Sequence, residues 1–419
     1  MDRWLGLPLC WLLTGVRRVR DALAGPPRPT VDSILFVKLA EQGSTVLAAD
    51  AIQRATERVG PTNVYFLVFE ENRFILDVMD LIPHENVIAI ETGGLLGTLM
   101  RTLGTLRRLR RLRVSAAIDL EFFARSSAAL TYLSGAPIRI GYHGRLAEGP
   151  RRGDLMTHRL RFNPHIHSAR AFRMMVDALD ADPNALPTTG LRPADVGRTP
   201  PAFTPTTDER DRVRELVTGT VPADGPIILL NANCSDLIPL RAWPRQRYLE
   251  LARCLLEWRQ DVSIIFTGAP AEAGPVDTLM RELGSERCQS LAGKTTLREL
   301  LVLYALSNVL VTNDSGPAHF ATLTPIHVVT LFGPEHPDLF ASLSPRNHVL
   351  WAGLACSPCV SALNNRESKC QDNLCLQSIG VDDVFTTVRR ILEREASDEV
   401  ALPQVVTRPL GVRTQGVTD

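Results

Sequence analysis

The residues best suited to chemistry lie in one run, Asn313-Asp314-Ser315-Gly316-Pro317-Ala318-His319, just after the apolar triplet Val309-Leu310-Val311. A short β-branched run bounded by turn formers predicts a buried strand. Asn313 and Asp314 suit a helix N-cap, Gly316 permits close backbone approach, and Pro317 suits a first helical position. A helix opened in this way points unpaired N–H groups and a positive dipole end beyond the strand. The chemistry expected there is anion binding, most naturally of a phosphate or diphosphate. His319, one turn further on, suits either a ligand contact or a core or capping histidine.

A second polar group follows the apolar run Ile227–Asn231. It comprises Asn231-Ala232-Asn233-Cys234-Ser235-Asp236 and then Arg241-Ala242-Trp243-Pro244. Asn233 and Ser235, with the Arg241 cation, are candidates to hold a phosphate group. The same residues also read as a helix N-terminal turn with Pro244 in its first position, and the two roles are compatible. Cys356-x-x-Cys359 with Cys370 and Cys375 has spacing that suits a zinc or iron–sulfur centre, a structural thiol loop or a disulfide. The second pair is wider than a zinc ribbon requires, so a thiol loop without metal is the preferred assignment. Gly293-Lys294-Thr295 imitates the end of a P-loop, but the required earlier glycine falls at Cys288. No Gly-x-Gly-x-x-Gly follows the first strand of either half, which argues against a nicotinamide dehydrogenase.

These residues need a scaffold of two α/β series. At 419 residues the chain is too long for one small core. The first series has strands at Ser33–Lys38, Val64–Phe69, Val87–Ile90, Ser115–Asp119 and Ile138–Tyr142. The second has strands at Pro226–Asn231, Val262–Thr267, Asn308–Thr312 and His327–Phe332. Strands alternating with helices predict parallel, doubly wound sheets, hence an α/β fold of two Rossmann-like domains facing a cleft. The expected boundaries are 1–30 for an N-terminal segment, 31–205 and 206–395 for the two domains, and 396–419 for a disordered tail.

Lys+Arg and Asp+Glu balance at 46 each, which gives no electrostatic case for nucleic acid. Trp4–Val16 is apolar and precedes Arg17, Arg18 and Arg20. It is shorter than the roughly 20 residues of a transmembrane helix, and its charge follows the apolar run instead of leading it as in a signal peptide. An interfacial segment on an anionic membrane face is the preferred expectation, against a helix packed on the protein's own surface. The helix expected at Leu95–Arg113 carries the stripe Leu103, Leu106, Leu109 and Leu112, with six arginines over the remainder. It either covers a sheet with a solvated basic face or offers that face to anionic lipid or a phosphorylated acceptor.

The Val311–His319 run, Arg241-Ala242-Trp243-Pro244, Leu291–Leu297, Leu331-Phe332-Gly333-Pro334, Arg139-Ile140-Gly141-Tyr142 and Cys356-Ser357-Pro358-Cys359 together resemble glycosyltransferase family 9, the heptosyltransferases. The resemblance implies a GT-B fold, an acceptor-binding first domain and a nucleotide-sugar-binding second domain. It implies transfer of a heptose-like sugar from a nucleotide-diphosphate donor, ADP-heptose in the first instance, to a lipopolysaccharide-core or related lipid-linked glycan. The expected location is the cytoplasm, peripherally on the inner membrane face. No cofactor or metal is required, because Arg241 and the turn Ser315, Gly316, Pro317 and Ala318 can neutralise the diphosphate. Asp314 matches the family aspartate beside the donor sugar, and Arg241 stands where lysine is common.

The resemblance fails at one catalytic point. Family members carry Gly-Asp after the first strand, whereas this chain has Gly43-Ser44. Serine is no general base unaided at neutral pH, so Glu41, the only nearby carboxylate on that turn, is the candidate substitute. If neither Glu41 nor Ser44 serves, the alternatives are a nucleotide-sugar-binding protein that has lost transferase activity, or an epimerase or hydrolase acting on a nucleotide sugar.

Overall fold

A computed structural model describes residues 2–24, 30–143, 151–184, 200–217, 225–234 and 238–395. Ser235, the Gly25–Pro29 linker and the 396–419 tail lie outside the described residues. The chain divides into two compact units. One runs to Ala202 and includes Ser361–Glu367, and the other comprises Phe203–Val360 and the residues from Ser368 onward.

The first unit holds a six-stranded sheet of β1 (Ile34–Val37), β2 (Val64–Phe69), β3 (Val87–Ile90), β4 (Ala116–Asp119), β5 (Ile138–Tyr142) and β6 (His158–Leu160). The strands are parallel and ordered β3-β2-β1-β4-β5-β6. β1 is buried along its whole length, as a central parallel strand covered on both faces requires. The second unit repeats the plan with β7 (Ile227–Asn231), β8 (Ser263–Phe266), β9 (Cys288–Ser290), β10 (Val309–Asn313), β11 (His327–Phe332) and β12 (Asn347–Trp351). Its order is β12-β11-β10-β7-β8-β9, again all parallel. Within each unit the first strand lies beside the fourth, and the winding direction reverses there. That reversal opens a crevice at the strands' carboxyl ends, the general ligand position in such sheets.

Three edge strands, β6, β9 and β12, escape sequence reading. β6 and β9 have only three residues each, and all three strands carry polar residues (His158 and Arg159; Gln289 and Ser290; Asn347 and His348) that mask the apolar pattern of a buried strand.

The helix Leu95–Leu112 corrects the expected stripe. Leu106 and Leu109 are buried against β3 and its neighbours, but Leu103 and Leu112 are 39% and 36% exposed. Steps of three residues rotate about 300°, so four such positions sweep round the helix and only the middle pair faces inward. Arg101, Arg107, Arg108, Arg110, Arg111 and Arg113 are all exposed.

The N-terminal helix Asp2–Ala24 packs one face on the unit's own surface. Cys10 and Leu13 join Ala128, Ala129, Tyr132, Leu155 and Met156 in a small core. Arg17 turns inward to Asp154 and Asp21, and Arg20 lies over the Tyr132 ring, so the expected basic cluster is mostly spent on the protein itself. The opposite face leaves Leu9, Trp11, Leu12, Val16, Val19 and Leu23 exposed. No described helix is long and apolar enough to cross a membrane.

Candidate functional site

In the second unit the crevice between β7 and β10 collects the sequence-expected residues. Register pairs Thr312 with Asn231, so the segments leaving the two strands run side by side. Asn313 acts as a clamp here and does not cap a helix. Its carbonyl Oδ1 accepts the Trp243 N–H (2.9 Å) and its Nδ2 donates to the Asn233 carbonyl (3.0 Å). Trp243 is wholly buried, and its Nε1 donates to the Ile379 carbonyl, which anchors the loop that carries Arg241. Asn373 adds bonds to the carbonyls of Leu240 and Ala242. The Asn233 amide is 4% exposed, and neither its Nδ2 nor its Oδ1 has a hydrogen-bond partner among the described residues. An amide in that state, at the carboxyl end of a switch-point strand, suits a ligand contact.

Arg241 lies between two carboxylates. Its Nη2 donates to Glu335 Oε1 at 2.6 Å, its Nε stands 3.5 Å from Asp314 Oδ2, and its Nη1 donates to the Asp314 carbonyl at 3.4 Å. Glu335 and Asp314 are 1% and 4% exposed. Burial pushes Glu335 up to about 7 and raises Asp314 as well, with the Arg241 guanidinium opposing both shifts. Glu335 was not among the residues expected from sequence. It lies three positions past the end of β11 and reads there as exposed loop charge. Only the neighbouring motif Gly333-Pro334 hinted at it.

The turn after β10 is tighter than expected. Ser315, and not Asn313 or Asp314, is the N-cap of a helix of only five residues, Gly316–Phe320. So short a helix has a correspondingly small dipole, and anion binding there rests on individual N–H groups. Pro317 has none, and the Ala318 N–H is spent on the Ser315 carbonyl (3.1 Å), whereas those of Ser315 and Gly316 have no backbone partner among the described residues. His319 is buried on the same helix.

In the first unit the equivalent crevice between β1 and β4 holds a charged network. Glu41 adopts a left-handed backbone with φ 66°, a conformation that is uncommon for a residue other than glycine. Its Oε2 accepts the Ser44 hydroxyl at 3.2 Å, so the two expected catalytic candidates do meet. Glu41 is not the only carboxylate nearby, because Glu121 reaches back from beyond β4. Glu121 Oε1 accepts the N–H groups of Leu39 and Ala40 (2.9 and 3.1 Å). The fully buried Lys38 lies 3.7 Å from Glu121 and 4.0 Å from Glu41, and burial lowers its ammonium pKa. Arg366 pairs with Glu41 Oε1 and lies over Phe122. Sequence reading missed Lys38, Glu121 and Arg366, since 82 residues separate Leu39 from Glu121 and only β1–β4 pairing brings them together.

Among the described residues none of Cys356, Cys359, Cys370 and Cys375 forms a disulfide, and Cys356 and Cys370 are exposed while Cys375 is buried. Among the described residues no group of three or more His, Cys, Asp or Glu is arranged to hold a metal ion. Lys294, in the P-loop mimic, donates to the Ser290 carbonyl.

The model for glycosyltransferase family 9 (heptosyltransferase) matches residues 103–369, well over half of the sequence. The chain belongs to glycosyltransferase family 9. Over 115 residues this family 9 chain is 35% identical to lipopolysaccharide heptosyltransferase 2 of Salmonella typhimurium, a stretch covering 27% of the chain and 32% of that protein. Over 116 residues it is 33% identical to lipooligosaccharide heptosyltransferase 2 of Haemophilus influenzae, covering 27% and 33%. The aligned stretches thus span about a third of those relatives. An Escherichia coli ADP-heptose lipopolysaccharide heptosyltransferase II superposes with a TM-score of 0.65 at 19% identity, over 87% of this chain and 99% of that one. A family 9 glycosyl transferase from Veillonella parvula gives 0.67 at 17% identity, over 87% and 97%. These likenesses establish the GT-B-type α/β fold.

Proposed function

We propose that this family 9 chain transfers a heptose-like sugar from an ADP-activated donor to a lipopolysaccharide-core acceptor. The observation that carries the proposal is Arg241, held at the β7–β10 switch point against Asp314, the residue that precedes the Ser315–Gly316 turn. In the reaction the acceptor oxygen bonds to the anomeric carbon while the bond from that carbon to the diphosphate breaks. The departing diphosphate gains negative charge, and a fixed cation with oriented N–H groups stabilises it without reorganisation. Asp314 faces the donor sugar, Asn233 contributes its buried amide, and His319 flanks the same site. The relatives' names, heptosyltransferases acting on lipopolysaccharide or lipooligosaccharide, support this sugar and acceptor class.

The acceptor hydroxyl has to lose a proton, and Glu41, with Ser44 donating to it, is the proposed base. Glu41→Gln removes the basic oxygen and keeps the shape. The expected result is a fall of about 10²- to 10⁴-fold in kcat with donor binding unchanged. The assay is purified protein with ADP-heptose and core-lipid acceptors. Unimpaired transfer by Glu41→Gln would remove Glu41 from the mechanism. ADP released at an equal rate without acceptor would favour hydrolysis.

A peripheral position on the cytoplasmic face of an anionic membrane fits this acceptor. Its support is the exposed apolar face Trp11, Leu12, Val16, Val19 and Leu23, with Arg18 beside it. On Leu95–Leu112 the exposed Leu96, Leu99 and Met100 stand near Arg107 and Arg111. Co-sedimentation with phosphatidylglycerol vesicles is expected to exceed that with phosphatidylcholine. Trp11→Ser with Leu12→Ser is expected to weaken it about tenfold or more. Equal binding to both lipids, or no loss in the double variant, would count against a membrane role.

A further inference from the structure

We infer that Glu335 positions Arg241 in the donor-free protein and is the group that takes up a proton when a donor diphosphate binds beside that guanidinium. The inference rests on the proposed role of Arg241 in donor binding. It starts from a charge count. Two carboxylates, Glu335 and Asp314, share one guanidinium, and all three are largely shut off from water. With every group ionised, the cluster carries one excess negative charge where a doubly charged diphosphate has to bind. Buried like charges at this spacing do not all stay ionised, and a proton is the cheapest neutraliser.

The surroundings leave little other freedom. The Asp314 N–H is tied to the Leu331 carbonyl (3.0 Å). The Pro334 carbonyl, just before Glu335, accepts the N–H groups of Cys359 and Val360, each at 3.0 Å. His336 turns to the helix Pro337–Phe340, accepting the Asp338 N–H (3.1 Å) with its ring against Trp351. From the loop after β7, the Cys234 thiol is a further titratable group that acts on Arg241. Two acids fixed through their backbones, with one cation between them, relieve an added anion's charge by protonation or by release of Arg241 from Glu335. Both make Glu335 neutral or distant when the donor is bound. Glu335 already titrates at about 7 because it is buried, so the proton is available near neutrality.

The sign follows from linkage. The bound diphosphate raises Glu335 further, so binding takes up a proton in the window above about 7, and the donor Kd rises with pH there by up to about tenfold per unit. Below that window Glu335 is protonated in both states and Kd is flat. In Glu335→Gln the side chain is neutral at every pH. Its Kd is expected to stay flat and to fall below the wild-type value at high pH.

Titration calorimetry with ADP-heptose, whose two phosphates are both esterified and hold constant charge over this range, measures the proton directly. In buffers of different ionisation enthalpy near pH 8, uptake is expected to approach one proton in the wild type and to vanish in Glu335→Gln. A flat wild-type Kd between about pH 7 and 9 would overturn the inference, as would undiminished uptake in Glu335→Gln. Arg241→Ala separates the two levels. If it binds ADP-heptose as well as the wild type, the donor-site assignment itself fails. If it loses binding while Glu335→Gln keeps the wild-type pH slope, only the role of Glu335 fails.

Discussion

Arg241→Ala is expected to lower transfer from ADP-heptose by about 10²- to 10³-fold, the scale on which loss of one preorganised stabilising group acts. The effect should divide between kcat and donor KM, since in the proposed role the guanidinium meets the diphosphate in the ground state and more strongly as charge develops on departure. The variant also leaves Glu335 and Asp314 together without their cation, and both are nearly inaccessible to water. One of the two must then stay protonated, and removal of one member of a buried ionic group costs about 3–5 kcal/mol of stability. Arg241→Lys separates charge from geometry. It keeps a cation but cannot reach Glu335 and Asp314 together as the planar guanidinium does, so it is expected to recover stability more fully than turnover. Donor turnover measured beside thermal unfolding checks both. Full activity in Arg241→Ala would sink the assignment of this crevice as the diphosphate site.

The largest purely structural effect is expected in the first unit. Arg152 Nη1 meets Asp119 Oδ2 at 2.8 Å, with the two side chains 2% and 0% exposed. Arg152 Nε donates to the Tyr142 carbonyl and the Ser127 hydroxyl donates to Asp119, so the pair ties β4 to β5. Arg152→Met is expected to cost about 3–5 kcal/mol near neutral pH, because the Asp119 charge loses its partner. Burial already holds Asp119 up at about 6 even with Arg152 present. Without Arg152 its folded-state pKa rises further above the unfolded value, so stability is retained at low pH and lost as pH rises through the folded pKa. The deficit measured by urea denaturation should therefore be smaller near pH 5 than near pH 8. Adding Asp119→Asn removes the stranded charge and is expected to recover part of the loss. A single variant within about 0.5 kcal/mol of wild type at pH 8 would show that the pair is structurally idle.

The contrast between the two halves is also one of legibility. In the second unit, the amino-acid sequence alone determined most of the proposed donor site. The β-branched run before Asn313 makes a strand, and Asp314-Ser315-Gly316-Pro317 forces a turn into a helix. The Arg241-Ala242-Trp243-Pro244 segment marks a second loop. All of these are local signals that need no tertiary contact. Alternation of strands and helices likewise determined the parallel α/β class and most of the element boundaries. Edge strands β6, β9 and β12 stayed hidden, because their stability comes from a neighbour's hydrogen bonds and not from an apolar pattern of their own.

What only the tertiary structure decided was which distant charges share a crevice. The order β3-β2-β1-β4-β5-β6, repeated in the second unit, places Lys38 and Glu41 beside Asp119 and Glu121. It also places Arg241 between Asp314 and Glu335. Glu335 and Glu121 look like ordinary surface acids in one dimension. Their meaning comes from pairing registers that span tens of residues and, for Glu335 alone, from burial that pushes its carboxyl up to about 7. Strand propensity and turn chemistry are local quantities, whereas a buried charge depends on every chain segment that excludes water from it.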